Sequence, residues 1–506
     1  MSSSALGPGR RSPAEAHAAI ERFLNASRQP ILLEPGEDHF VLEPGSFSIE
    51  WADGRLMVQV WDRRRNLVRR VTGLQEEKPG KLDLVIEKFP KREGQLLFID
   101  TARPALAAAP VRGRRLSFRE RFRRLLHRQF PDWKIAELST DQVLEHSLSS
   151  LYPRALLRRG QAALAAMAAP PEGVDVSGIL SFGLIWLDYL RHRETRLSVE
   201  ELTLFLPQGL ERGACLRLRF LNPKAARFRA YVYSAEDYAE AVDLADYGNI
   251  DTRLDPFRDP ARALTSRVLG WTERLTRLPH VEQVARPGGA LSLRVRGLEF
   301  ARAAEDALHF GLTHPTAAEE SSLPEIERLA RELARLRSPD APDRENPLYR
   351  MQPECWLESQ IRVHLEKFEP SLLPAPVYGQ VPAFAGGERG VLDLVAADRT
   401  GRLAVLELKA SEDLHLPLQA LDYWMRVQWH LERDEFRAHG YFPGVELRKE
   451  PPRLLLIAPS LDFHPTTEAI MQYFSPSIPV ERIGLGVEWR RELKAVFRLA
   501  GAQRPQ

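Results

Sequence analysis

The sequence predicts a multidomain α/β protein: a small all-β unit at the N-terminus, a middle α/β or α+β unit, and a C-terminal α/β unit. Three observations carry this. At 506 residues the chain is too long for one ordinary core, given about 150 residues per domain. Breaker-rich stretches, ALAAAP at 105–110 and SPDAPDRENP at 338–347, interrupt it. The texture also changes from short, partly alternating runs before residue 105 to helical and strand patterns in mixed order afterwards.

Residues 1–30 read as a Ser, Gly and Pro-rich tail followed by one short helix in AEAHAAIERFL. From 31 to 105, FVLEPGSFSIEW, GRLMVQVWD, NLVRRVTGL, KLDLVIEKF and QLLFID are separated by PG, DG and EG turns and read as a small β domain. The unit at 111–314 opens on VRGRRLSFRERFRRLLHRQF, where Phe118, Phe122, Leu125 and Leu126 mark one face of an amphipathic helix with Arg119, Arg121, Arg123, Arg124 and Arg128 around its polar sides. Arg119 and Arg123 on that helix are candidate phosphate contacts. Beyond it, ALLRRGQAALAAMAA, GILSFGLIWLDYLRHR and YAEAVDLADY read as helices, and ELTLFLP, CLRLRFL and RAYVYS as strands. This mixture could hide a degenerate copy of the C-terminal fold, but no acidic and lysine set matches, and no repeat of fixed period is visible. A charged helix and linker occupy 315–346, and the last unit runs over 347–506.

Composition narrows the function. Lys and Arg number 71 against 69 Asp and Glu, a formal charge of +2, so nucleic acid could be held only by local patches. Cys215 and Cys355 are the only cysteines, which excludes a disulfide framework or a cysteine-built zinc site and fits a reducing cytoplasm. No stretch approaches the roughly 18 uninterrupted apolar residues of a membrane span, so no membrane partner is expected.

The chemistry lies in GVLDLVAADRTGRLAVLELKA, 390–410. With a strand period of two, Val391, Asp393 and Val395 share one face, and Leu403, Val405, Glu407 and Lys409 share one face of the next strand. The ADRTGR turn makes the two runs a hairpin that can set Asp393 beside Glu407. Two such carboxylates in a partly dry place repel each other and lose hydration, so a divalent cation and the Lys409 ammonium are their natural complement. Downstream, LQALDYWMRVQWH puts Gln419, Tyr423, Arg426 and His430 along the edge of a helical packing stripe. Upstream, PECWLESQIRVHLEKFEP carries Leu357, Ile361, Leu365 and Phe368 at helical spacing, with Glu358 bordering them. The histidines 415, 430, 439 and 464 have no metal-site spacing, and GGERG at 386–390 lacks the ending of a phosphate-binding loop.

The ordered set Glu358, Asp393, Glu407-Leu408-Lys409, Gln419 and Tyr423 resembles the PD-(D/E)XK nuclease superfamily, most closely its RecB-like and NucS-like branches, over about Asn346 to Pro459. The Asp is preceded by GVL rather than Pro. The resemblance implies a restriction-endonuclease-like α/β core, a central mixed sheet flanked by helices. It implies Mg²⁺ or Mn²⁺ held by Asp393, Glu407 and the Leu408 carbonyl with Glu358 completing the site. Lys409 would position and help deprotonate a water, and Gln419 and Tyr423 would orient Lys409 or a phosphate. The activity implied is a metal-dependent nuclease, endo- or exonucleolytic, acting on DNA in repair or defence, with a homodimer left open and with Arg362 and Arg426 as further phosphate contacts. The alternatives are a nucleic-acid-binding or scaffolding protein that does not cut, and an activity housed in the middle domain.

Overall fold

The computed structural model describes residues 11–503 except 36–38, 44–45, 53, 62–65, 89–91, 104–108, 251, 380, 386–387 and 392–393. Helix α1 (Pro13–Ala26) begins with a capping box in which Ser12 and Glu15 satisfy each other's backbone N–H groups. Its buried Ala16, Ala19, Ile20 and Phe23 cover a seven-stranded antiparallel sheet, β1 to β7, between Pro30 and Asp100.

Helix α2 (Ala109–Gln129) then leads into a six-stranded sheet made of β8 (Lys134–Ser139), β9 (Arg154–Arg159), β10 (Ala162–Ala168), β11 (Ser198–Pro207), β12 (Arg227–Tyr233) and β13 (Ala239–Ala241), side by side in chain order. β10, β11 and β12 run parallel, joined through α3 (Ile179–Arg193) and α4 (Arg212–Leu218). β8, β9 and β13 are antiparallel to their neighbours.

Three expectations are corrected in this sheet. The alanine-rich ALLRRGQAALAAMAA is the β9–β10 hairpin, turning at Gly160 with φ +63°. Alanine favours helices by only a few tenths of a kcal/mol per residue, and a strand buried on both faces outweighs that preference. CLRLRFL, which alternates like a strand, contributes to α4, with Cys215, Leu216 and Leu218 buried and Arg217 held in an ion pair. YAEAVDLADY supplies β13 and a loop rather than a helix.

A third sheet, β14 to β18, lies between Val281 and Ala317, after the short α5 (Pro260–Ala263) and α6 (Ser266–Thr276). With α6 and α7 (Leu323–Leu336) it builds a separate core running from Leu264 to Leu333, across position 314. Residues 111–314 thus hold two sheets. Its Val295–Leu298 hairpin turns on Arg296 and Gly297, both at positive φ, the conformation of the tight hairpin turn.

The last unit contains α8 (Pro347–Arg350), α9 (Pro353–Val363), α10 (Leu365–Phe368), β19 (Tyr378–Gly379), a small ribbon of β20 (Pro382–Ala385) with β21 (Glu388–Val391), β22 (Leu394–Ala397), β23 (Leu403–Leu408), α11 (Leu416–Glu432), α12 (Glu435–Ala438), β24 (Arg453–Pro459), α13 (Thr467–Met471), β25 (Val480–Leu485) and β26 (Ala495–Ala500). Its main sheet has the order β19-β22-β23-β24-β25-β26. β22 and β23 form the expected hairpin, Leu394 opposite Leu406, and β23, β24 and β25 are parallel. GVLDLVA is divided: Gly390 and Val391 end β21, and Leu394 begins β22.

Period two sorts the side chains of β22 and β23. Leu394, Ala396, Ala404, Leu406 and Leu408 pack with Trp356, Leu357 and Ile361 of α9. Val395, Ala397, Leu403 and Val405 pack with Leu421, Trp424 and Val427 of α11, in a large core that also takes in Leu184 and Trp186 of α3 and Leu202 and Leu204 of β11.

Candidate active site

Glu407 is the fifth residue of β23, two rungs past Val405 and on the face turned to α11. It is 2 % exposed in a central strand flanked by β22 and β24. A carboxylate placed there costs several kcal/mol unless compensated. Lys409 follows on the same face, and its backbone N–H extends the ladder to the Ile457 carbonyl at 3.0 Å. The Lys409 ammonium lies 3.3 Å from Asp413 Oδ2, and Asp413 Oδ1 accepts the His415 N–H at 2.7 Å.

α11 starts directly after this loop. Gln419 is partly buried, and its Oε1 has no hydrogen-bond partner among the described residues. Tyr423, one turn on, packs against the large core, and Arg426 is 7 % exposed. Arg426 lines a groove with Asp175, Arg212, Arg217 and Asp422. There Arg217 of α4 holds Asp422 of α11 through both guanidinium branches, Nε to Oδ1 at 2.8 Å.

Asp393 lies outside the described residues; the hairpin's last described rung is Leu394–Leu406. Among the described residues, no group of three or more His, Cys, Asp and Glu side chains could hold a metal ion.

Glu358 has an environment that sequence reasoning did not anticipate. Its carboxylate is buried between Arg362 Nη2 at 2.7 Å and Arg294 Nη1 at 3.3 Å, the latter reaching over from the β14–β18 sheet. Beside them, burial raises the Glu282 carboxyl above its ordinary range, against a hydrogen bond from Ser359 and the fields of Arg294 and Arg362. The Glu358 carboxylate lies against Gly379, where a Cβ would sit 2.6 Å from Oε1 and 2.0 Å from Arg362 Nη2. Gly379 pairs with Leu394, so Glu358 stands at the start of β22, already neutralised by two guanidinium groups. Arg362 also donates to the Val377 carbonyl at 2.7 Å and is committed to this cluster.

The proposed phosphate-contacting helix is placed elsewhere. α2 covers the face of the middle sheet formed by Ala155, Leu157, Leu164 and Ala166, whereas Leu156, Ala163, Ala165 and Met167 on the opposite face, which α3 covers, belong to the core shared with the C-terminal unit. Arg119 and Arg123 therefore lie a sheet away from Glu407, both paired with Glu120 at 3.0 and 3.4 Å. Arg121 and Arg124 clasp Asp237, and Arg128 donates to its carbonyl.

The structure thus brings Glu407, Leu408, Lys409, Gln419 and Tyr423 to one strand end and the helix after it, and sets Glu358 apart with arginines. The residues missed from the sequence are Asp413, four positions after Lys409, and His415, whose Nδ1 meets Ser181 Oγ of α3 at 2.9 Å. Burial lowers the His415 pKa. The spacing K-x-x-x-D in the strand-to-helix loop was the available signal. No protein-family model matches the chain, and no curated protein matches it.

Proposed function

We propose that this protein is a metal-dependent nuclease of the PD-(D/E)XK type, acting on DNA, with the sheet of its last unit as a restriction-endonuclease-like core. One observation carries the reading: a carboxylate, Glu407, only 2 % exposed, stands near the end of a central strand with a lysine next on its face. The reading requires Asp393 opposite Glu407, the rung after Leu394–Leu406.

The donor set suits a hard cation, since Glu407, Asp393 and the Leu408 carbonyl offer oxygen only. Mg²⁺ or Mn²⁺ held there would polarise a phosphoryl oxygen and lower the pKa of a bound water. Lys409, its ammonium steadied by Asp413, is placed to orient that water or a non-bridging phosphate oxygen. Gln419 Oε1 is an acceptor at the foot of α11 and can fix the lysine or the water. Hydrolysis adds the water oxygen to phosphorus and breaks one P–O ester bond; the proton released by the water balances the one taken up by the departing alkoxide. Glu358, compensated by Arg294 and Arg362, anchors α9 to the small sheet in this reading and joins a metal only by giving up an arginine.

That compensation favours a second reading, a protein that binds nucleic acid without cutting it. Incubation with single-stranded, duplex and branched DNA in Mg²⁺, Mn²⁺ or EDTA separates the two. Metal-dependent cleavage abolished in Glu407→Ala and Lys409→Ala supports the nuclease; retention of uncut DNA in every lane supports the binder.

A further inference from the structure

The middle and C-terminal sheets are the same construction. In each, six adjacent strands run antiparallel, antiparallel, parallel, parallel, antiparallel, from β8 to β13 and from β19 through β22 to β26. A helix precedes each sheet and covers its outer face, α2 in one and α9 in the other. The two parallel crossovers carry α3 and α4 in the first and α11 and α13 in the second.

The two units also meet reciprocally. α3 packs on α13, and α11 packs on α4. Leu221 and Phe474, which follow α4 and α13 respectively, form an antiparallel bridge. Asn222 N–H donates to the Tyr473 carbonyl at 2.7 Å, and Ser475 N–H to the Phe220 carbonyl at 2.8 Å. The segments read FLNP and YFSP. Gly178 and His415, the residues capping α3 and α11, are also in contact: a Cβ on Gly178 would lie 3.0 Å from the imidazole. Such exchange of like for like is the signature of a two-fold interface, here within one chain.

The hydrogen-bond ladders fix which residues correspond. Ala168 pairs with Phe205 and Ala169 N–H donates to the Phe205 carbonyl; Leu408 pairs with Ile457 and Lys409 N–H donates to the Ile457 carbonyl. Met167 thus stands where Glu407 stands, and Ala169 where Lys409 does. The residue opposite Met167 is Arg154, and the eighth residue of α3 is Trp186 where α11 has Tyr423. Arg154 is 2 % exposed with its guanidinium 5.3 Å from the Trp186 ring. A buried guanidinium, a thioether and an indole fill the place and repel a cation.

We propose that the chain is a fused pseudo-dimer with one reactive centre, in which the middle unit is an unreactive partner seated on the face a second nuclease unit would use. Resting on the nuclease reading above, the substrate is then engaged one strand at a time, and a duplex is nicked rather than broken through.

The test uses the full-length chain. Supercoiled plasmid with Mn²⁺ yields open circles first and linear molecules only as nicks accumulate. Glu407→Gln lowers the rate by more than about 100-fold, beyond the ~10–100-fold typical of losing a mere supporting partner of a metal ligand, whereas Met167→Leu leaves it unchanged. Linear product with no open-circle precursor, or nicking retained in Glu407→Gln, overturns the proposal. No product with any DNA defeats the nuclease reading instead. In that event Mn²⁺ titration of the melting temperature decides: protection lost in Glu407→Gln and kept in Met167→Leu upholds the one-sided pair, and protection kept in Glu407→Gln overturns it. The docking is tested apart from activity by Leu221→Cys with Phe474→Cys, since an antiparallel bridge holds Cα atoms at disulfide distance. An intramolecular cross-link is expected, and its failure under oxidising conditions overturns the reciprocal interface.

Discussion

The middle sheet and the C-terminal sheet share one strand order and one set of crossovers, yet one buries Met167 and Ala169 where the other buries Glu407 and keeps Lys409. The comparison shows that the fold does not call for these charges. A thioether and a methyl group fill the same positions, so the carboxylate is an expense the architecture can do without. A buried carboxylate in one unit, beside an apolar counterpart in the other, is the contrast on which the proposed chemistry rests.

The comparison can be broken most decisively at its charged half. Glu407→Gln or Lys409→Ala is expected to abolish metal-dependent cleavage in an initial-rate assay, and equal losses from Met167→Leu would erase the distinction between the units. Next in size is the bond between them. Asp422→Ala leaves Arg217 buried without its bidentate partner, and loss of about 3–5 kcal/mol in denaturant unfolding is expected; a change below about 1 kcal/mol would mean the pair is solvated and does not hold α4 to α11.

Gly379→Ala pushes a methyl group into Arg362 and Glu358 and should cost about 1–3 kcal/mol by overpacking, read as a drop in melting temperature. The smallest effect is acid sensitivity. The pKa values of His415, His430 and His464 are depressed below the ordinary 6.5, each chiefly by burial. Protons therefore bind the unfolded chain first. The stability these histidines give is complete above pH 6.5 and is lost as pH falls through their folded-state values. His415 faces Asp413, Asp175, Arg217 and His464, so acidification should loosen the contact between units. His415→Gln should flatten the fall in melting temperature between about pH 7 and 5, the window in which an ordinary histidine titrates; an unchanged slope would place the titration elsewhere.

How much of this was legible depended on whether local pattern and tertiary environment agreed. The small β domain, α2, α7, α9 and α11 were readable because apolar period and burial coincide there, α3 as one long apolar run, and the Leu394–Leu406 hairpin, though buried throughout, from its Val and Leu-rich runs on either side of the ADRTGR turn. The β9–β10 hairpin was not, since strands buried on both faces carry no alternation and alanine speaks for helix. α4 misled in the opposite sense: its Leu-Arg-Leu alternation reflects a buried arginine whose partner lies 205 residues away. At the candidate site, the strand glutamate, the lysine and the glutamine with tyrosine were visible as spacing, but the arginines claiming Glu358 were not, because Arg294 arrives from another sheet. The relation between the two units was raised by the mixed order of helices and strands, but without a matching acidic and lysine set nothing in the sequence carried it. Topology and register preserve it, while in the sequence little more than FLNP against YFSP remains.

The bridge between Leu221 and Phe474 also constrains how the molecule comes into being. It closes a loop of about 250 residues, a contact whose entropic cost grows only slowly with length but which cannot form during synthesis until Phe474 has been made. Until then α3, which itself covers Leu202 and Leu204 of β11, lacks the packing that α13 supplies. A nascent protein of this design waits on the ribosome with part of its shared core unassembled, so its yield in a cell should depend on holdase chaperones more than the stability of the finished molecule would suggest.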